Sequence, residues 1–442
     1  MAGNGAAAGG GRTLMRILQV VHQCLPHLGG TGVYVQDLSE ELSRRGHQVM
    51  VFTRRLPPPK AQVSGVMFCS TRVDGLSPSA IGAFCSIFGD AGVERAFAAT
   101  CRDWQPQVVH FHHLRGLSGR LVAMAKGRGL PVIFTLHDYW FLCPGAQMVS
   151  WATKQICQRP GHSLECARCA AARLKLPGSG LLSLLGAPLF SYRKRQAWNI
   201  LQRADVLIAP SSFLANVFTQ GGLPPVRLRL SPLGINLSPF SGQQRPLDKE
   251  GRLRVAYIGA LAWQKGVHLL VEAANLLSQE NLEVRIYGEP QEFPDYVAQL
   301  RGQLRYSQAV LAGRLERSEV PQVLARTHVL VIPSLWWEND PLVVKEAFAA
   351  RVPVVASRLG ALAQAVQDGV DGLLFEPGNA ADLASKLALL IRDRALLERL
   401  RYGIHTPKSI AQDAAELEEV YQAWVASDVV ALSSKVVEGE RP

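Results

Sequence analysis

The stretch Ser334-Leu-Trp-Trp-Glu338-Asn-Asp-Pro341-Leu-Val-Val-Lys-Glu346-Ala-Phe-Ala-Ala-Arg-Val-Pro353-Val-Val-Ala-Ser357 places two glutamates eight positions apart across a helix start. Pro341 suits the first helical position, where its missing N–H has no intrahelical partner, and Asn339 or Asp340 can cap the helix ahead of it. Glu338 then falls in the loop before the helix and Glu346 in its second turn. Free N–H groups at the helix start attract an anion, and the two carboxylates accept from hydroxyls. A capped surface helix with two solvated glutamates reads the same way in isolation, so the flanking text has to separate the two readings.

Residues 329–334, Val-Leu-Val-Ile-Pro-Ser, read as a buried strand, and 352–357, Val-Pro-Val-Val-Ala-Ser, as a second one. The unit is strand, helix, strand, with its loop at the carboxyl end of a strand, where open α/β sheets bind ligands. An anion site beside hydroxyl acceptors fits a nucleotide sugar. Upstream, residues 253–259 form a strand, a loop ends in Lys265-Gly266, a helix spans 267–278, and strands follow at 283–288 and 309–312. The first half repeats the alternation. A strand at 17–21 leads to Leu28-Gly-Gly-Thr-Gly-Val33, a helix through 37–45 and a strand over 46–53, with more strands at 108–112, 131–136 and 204–210. This predicts an α/β chain of two doubly wound, Rossmann-like parallel sheets. The polar, turn-rich run 238–251 separates a first domain, 15–237, from a second, 252–405. A last helix is expected within 406–427, followed by a tail at 428–442.

The chain has 442 residues, 48% hydrophobic and 19% charged, with formal net charge +11. That is room for two full cores in an ordinary globular protein. The charge suits phosphorylated ligands or an anionic surface. The basic residues are scattered without an aromatic-basic stripe, so nucleic acid is not expected as a partner. Residues 1–14, MAGNGAAAGGGRTL, read as a disordered leader and lack the apolar run of a secretory signal. No segment reaches the roughly 18 apolar residues of a membrane span, and the expected location is cytoplasmic.

The 334–357 text resembles the signature of the retaining GT-B glycosyltransferases of family 4, an E-x7-E followed by an alanine-rich turn and a P-V-V-A-S strand. Arg351 stands where glycine is usual. Pro26, Gly29 and Gly30 match the family's P-x2-G-G loop, Thr135, His137 and Asp138 its T-x-H-D, and Lys265-Gly266 the end of its G-R-L-x3-K-G. The glycine-rich text from Gly360 to Gly378 also matches, with Gln364 in place of the frequent glutamate. The resemblance implies two domains facing across a cleft and a last helix that returns to the first domain. It also implies transfer of a sugar from a nucleotide diphosphate donor to a glycan, lipid-linked or small-molecule hydroxyl, without a catalytic metal. Glu338 is then expected to hold donor-sugar hydroxyls and Glu346 the ribose. Lys265, Gly29, Gly30 and the 339–342 helix start, with Asn339, Asp340 and Leu342, would hold the diphosphate end, and His137 would lie near the reacting centre as a hydrogen-bonding or electrostatic group. Ala260 occupies the family's arginine position, so one cation is missing unless Arg314 or Arg358 supplies it.

Cys143, Cys157, Cys166 and Cys169 are four of eight cysteines, and the last two form Cys-x2-Cys. They read either as a closed tetrahedral zinc site of structural kind or as ordinary thiols. His110, His112 and His113 form a second cluster, with metal binding ranked low. Residues 174–195, LKLPGSGLLSLLGAPLFSYRKR, join an apolar core to basic flanks, the pattern of a buried helix with a solvated end or of a peripheral membrane contact. A disaccharide or sugar-phosphate synthase of the same fold and a non-catalytic sugar-nucleotide-binding protein remain as alternatives.

Overall fold

The computed structural model describes residues 13–22, 29–54, 65–71, 80–158, 160–176, 179–242 and 251–437. Pro26, residues 1–12 of the expected leader, 243–250 of the expected linker and 438–442 of the tail lie outside them. Among the described residues thirteen strands form two parallel sheets. The first contains β1 (Arg16–Val20), β2 (Gln48–Thr53), β3 (Val66–Ser70), β4 (Val108–Phe111), β5 (Val132–Thr135), β6 (Val206–Ala209) and β7 (Leu228–Leu230), in the order β3-β2-β1-β4-β5-β6-β7. The second contains β8 (Leu253–Ile258), β9 (Leu282–Tyr287), β10 (Ala309–Gly313), β11 (Val329–Ile332), β12 (Val354–Ser357) and β13 (Gly372–Phe375), in the order β10-β9-β8-β11-β12-β13. Both reverse direction at the same step, between the first and fourth strands of the series, which is the doubly wound pattern.

Successive side chains of a strand point to opposite faces, and both faces of the second sheet are packed. Val255, Tyr257, Val329, Val331 and Val355 join one buried cluster. Ala256, Leu330, Val354 and Ala356, their neighbours in sequence, join another. This is why these strands read as continuous apolar runs and not as alternating ones. The helix Gly30–Arg44 is amphipathic instead, burying Tyr34, Val35, Leu38 and Leu42 and carrying Arg44 in its last turn.

Internal contacts divide the chain into two units, residues 1–134 with 202–205 and 414–442, and residues 135–201 with 206–413. Within the first, Glu418 accepts from Arg45 at 2.6 and 2.8 Å and stands 3.3 Å from His47, while Tyr421 meets His110 at 2.6 Å. These residues sit on a helix, Ile410–Val437, that continues ten residues past 427. The run 428–437 contains no proline or glycine to stop it, the first being Gly439.

Arg351 has φ +56°, a left-handed conformation that costs a side-chain-bearing residue about 1–2 kcal/mol. The backbone there asks for glycine, and the arginine is accommodated with its guanidinium bonded to the Ile404 carbonyl.

Candidate active site

The loops that leave β8 and β11 lie side by side at the carboxyl ends of adjacent strands, the place where strand order reverses. Gly266 closes the first with φ +68°, and a Cβ on it would lie 1.9 Å from the Pro333 carbonyl oxygen. Only glycine allows that approach. The Leu335 N–H donates to the Gln264 carbonyl at 2.8 Å and ties the loops again. Lys265, held between these anchors, reaches Glu338 with Nζ 2.8 Å from Oε1.

Glu338 is 7% exposed. Ser334 Oγ at 2.7 Å and Trp336 Nε1 at 2.8 Å donate to the same oxygen as Lys265. Three donors on Oε1 satisfy one half of a buried carboxylate. Oε2 has no donor among the described residues and can accept from a hydroxyl. The charge is felt nearby: the Tyr139 and Tyr257 phenols are pushed well up, first by burial and then by Glu338. Tyr257 donates to the Ala260 carbonyl at 2.7 Å, whereas the buried Tyr139 hydroxyl has no partner among the described residues.

The helix after Glu338 begins differently from expectation. Pro341 is its N-cap, Leu342 its first residue, and no side chain caps it. Asn339 donates instead to the His137 carbonyl at 2.7 Å. Asp340 accepts from the Leu233 N–H at 3.0 Å and from Lys345. Burial raises the Asp340 carboxyl, with the Lys345 charge and the Leu233 N–H opposing. Distant partners have drawn both side chains away from the cap. The first-turn N–H groups of Leu342–Ala349 are thus left without a side-chain acceptor, the condition for an anion site. Glu346 lies half-buried in the second turn.

His137 follows β5, and its carbonyl bond to Asn339 fixes it against the Glu338 loop. Asp138 accepts from the Trp140 N–H at 2.8 Å, tightening the turn. Lys265, Glu338, Asn339 and His137 are therefore brought together inside one unit. Gly29 lies in the other unit as the N-cap of Gly30–Arg44, in extended conformation, and a Cβ on it would meet nothing within 4 Å among the described residues.

Neither proposed substitute for the missing cation stands free. Arg314 pairs with Glu289 at 3.7 Å and Glu316 at 2.9 Å, and Arg358 with Asp368. Gln364 accepts from Ser212 Oγ and the Phe213 N–H, both at 2.9 Å. Cys143, Cys157, Cys166 and Cys169 are half-buried and belong to no disulfide among the described residues. Cys166 is pushed up to about 12, by burial and then by the neighbouring Cys143, with Cys157 and Cys169 adding to it. Burial also raises Cys169, against the opposing Trp151 N–H, which donates to its sulfur at 3.3 Å. Among the described residues no three His, Cys, Asp or Glu side chains are arranged to hold a metal ion. That includes the histidine cluster, in which His112 instead bonds Gln19 at 2.6 Å.

Sequence reasoning missed Ser334, Trp336 and Tyr139. Its available signal was the aromatic pair Trp336-Trp337 in a polar loop at a strand end.

Residues 242–405 match the family model described as glycosyl transferases group 1, and residues 28–239 that described as glycosyltransferase family 4. The chain is 25% identical over 406 residues to the glycogen synthase of Mycobacterium tuberculosis, covering 87% of this chain and 88% of that protein. Among solved structures it is similar to the sucrose-phosphate synthase of Thermosynechococcus elongatus, with TM-score 0.73, 19% identity and coverage of 93% and 100%. It is also similar to Anabaena HepE in complex with UDP and glucose, with TM-score 0.62, 17% identity and coverage of 96% and 99%.

Proposed function

The chain is a GT-B glycosyltransferase of family 4, and on that premise we propose that it takes its sugar from a nucleoside diphosphate donor and transfers it to an acceptor hydroxyl with retention of configuration. The observation that carries this reading is Glu338, a buried carboxylate with one oxygen saturated by three donors and the other open, beside a lysine at a strand switch point. In this reading Glu338 Oε2 accepts from a donor-sugar hydroxyl and Glu346 from the ribose. Lys265 and the N–H groups at Leu342 receive the diphosphate, and the Gly29-Gly30 loop, on its own unit, offers backbone N–H groups to an anion. Asn339 and Asp340 shape the loop, and His137 stabilises charge near the reacting carbon.

The bond from the anomeric carbon to the phosphate oxygen breaks as the bond to the acceptor oxygen forms on the same face. The acceptor proton passes to the departing phosphate. Positive charge from Lys265 and the uncapped helix start supports the leaving group, and no divalent ion is needed. Incubation with UDP, GDP and ADP sugars tests the reading: one donor should release its nucleoside diphosphate, and Glu346→Ala should impair that release. Absence of binding and turnover with every donor, together with no effect of Glu346→Ala, ends it.

An envelope polysaccharide or glycolipid acceptor belongs to the same proposal. It is supported by the helix Ser179–Arg203, where Leu184, Leu185 and Leu189 are 61%, 71% and 49% exposed near the basic Lys194 and Arg195. No helix among the described residues is long and apolar enough to cross a membrane, so such contact would be peripheral. Flotation with phosphatidylglycerol vesicles should carry the protein up, and Leu185→Glu should abolish this. We also propose that zinc staples the 143–169 loop through its four cysteines, supported by their spacing and mutual nearness. The thiols must turn to close on it, and about one zinc per purified chain is the expected content, against none.

A further inference from the structure

A nucleoside diphosphate gains negative charge as its bond to the sugar breaks, yet the lysine at this site is already shared with a carboxylate. Lys265 sits 2.8 Å from Glu338, Ala260 offers only a methyl group, and Arg314 and Arg358 are paired elsewhere. Another cation borders the same turn. Lys154 lies on the cysteine-containing loop, with Nζ 4.2 Å from the centre of the Trp151 ring and 4.8 Å from that of Trp263. Trp263 opens the short turn Trp263–Lys265, and its ring packs edge-on to Trp151 with centroids 6.4 Å apart.

The backbone aims Lys154 there at some cost. Its φ is +57°, in the left-handed region. Bonds from Lys154 N–H to the Ser150 carbonyl and from Ser150 N–H to the Gln155 carbonyl, both 2.8 Å, hold the hairpin that Val149 and Ile156 bridge. Strain of this kind on a bulky residue concentrates at functional sites. The ammonium is exposed and has no carboxylate partner among the described residues. Ring faces attract a cation without neutralising it, so its charge stays available to an anion.

We propose that Lys154 is the second cation for the donor's diphosphate, delivered from the 143–169 loop across the Trp151–Trp263 pair to the turn that carries Lys265. The assignment rests on the donor site proposed above. Titration of the full chain with UDP, GDP and ADP, and with the matching nucleosides, tests it. Lys154→Ala should weaken binding of the preferred diphosphate about tenfold, leave the nucleoside unaffected and flatten the salt dependence, and Lys154→Arg should restore most of the loss. Unchanged diphosphate binding in Lys154→Ala, with Lys265→Ala weakened, overturns the role of Lys154 and leaves the donor site standing. If Lys265→Ala is also unchanged, or the wild type binds no diphosphate, both fall. A loss that extends equally to the nucleoside assigns Lys154 a structural part and overturns the proposal too.

Discussion

The two sheets reverse direction at equivalent places, and each has a glycine where its first strand gives way to a helix, but the two glycines answer different demands. At Gly266 the chain itself requires the residue: φ is +68° and a methyl group would collide with the Pro333 carbonyl. At Gly29 the conformation is ordinary and no described residue lies within 4 Å of where a side chain would begin. The neighbours differ as well. In the second sheet the loops after the first and fourth strands are joined by a charged pair, Lys265 and Glu338, and in the first by the rings of His22 and His113 at 4.2 Å. One loop is thus a charged frame held by backbone and side-chain bonds within the fold, while the glycine of the other is required neither by its conformation nor by a close neighbour among the described residues.

The largest effect separates the glycines directly. Gly266→Ala should cost at least about 3 kcal/mol or prevent folding, because it combines left-handed strain with a backbone collision. Gly29→Ala should change stability by less than about 1 kcal/mol while reducing turnover. Denaturant melts and initial rates on both variants check this, and equal stability losses would break the comparison. Next, Lys265→Ala should lower kcat/KM about 10²–10³-fold with the fold intact, the scale of losing one charged contact to a developing anion. Glu346→Ala should raise the donor Kd about 10–100-fold, the worth of a charge-assisted hydrogen bond, which calorimetry can read.

The smallest effect is a pH dependence beside the same turn. Burial lowers the pKa of His268 below its usual 6.5, with Glu272 opposing, and its Nδ1 lies 2.8 Å from Tyr296 Oη. The unfolded chain takes up this proton before the folded one does. Its stability contribution is thus present above pH 6.5 and lost as pH falls through the lowered value. Melting temperatures of the wild type should drop more steeply below pH 6.5 than those of His268→Gln. Parallel curves would remove the histidine from the account.

The sheets and both glycine loops were legible because their signals are local: apolar runs, a glycine pair, a lysine before a glycine. The short strand β7, with two of its three residues exposed, and the edge strand β3 carried too little apolar pattern to be seen. In the site, Lys265 and Glu338 could be named singly, but their bond spans 73 positions and no spacing rule reaches it. The helix cap failed for the same reason. Asn339 and Asp340 have cap chemistry, and only the fold reveals that the His137 carbonyl and the Leu233 N–H claim them first. Arg351 runs the other way: its departure from glycine was visible in the letters, and the left-handed backbone supplies the reason for the usual preference.

Hydrogen exchange of the full chain, with and without the nucleoside diphosphate it binds, tests the placement of the donor most directly. Slowed exchange is expected at residues 264–267 and at the first turn of Leu342–Ala349, with that protection lost in Lys265→Ala. Saturating ligand that protects neither segment, or that protects them equally in the variant, would contradict it.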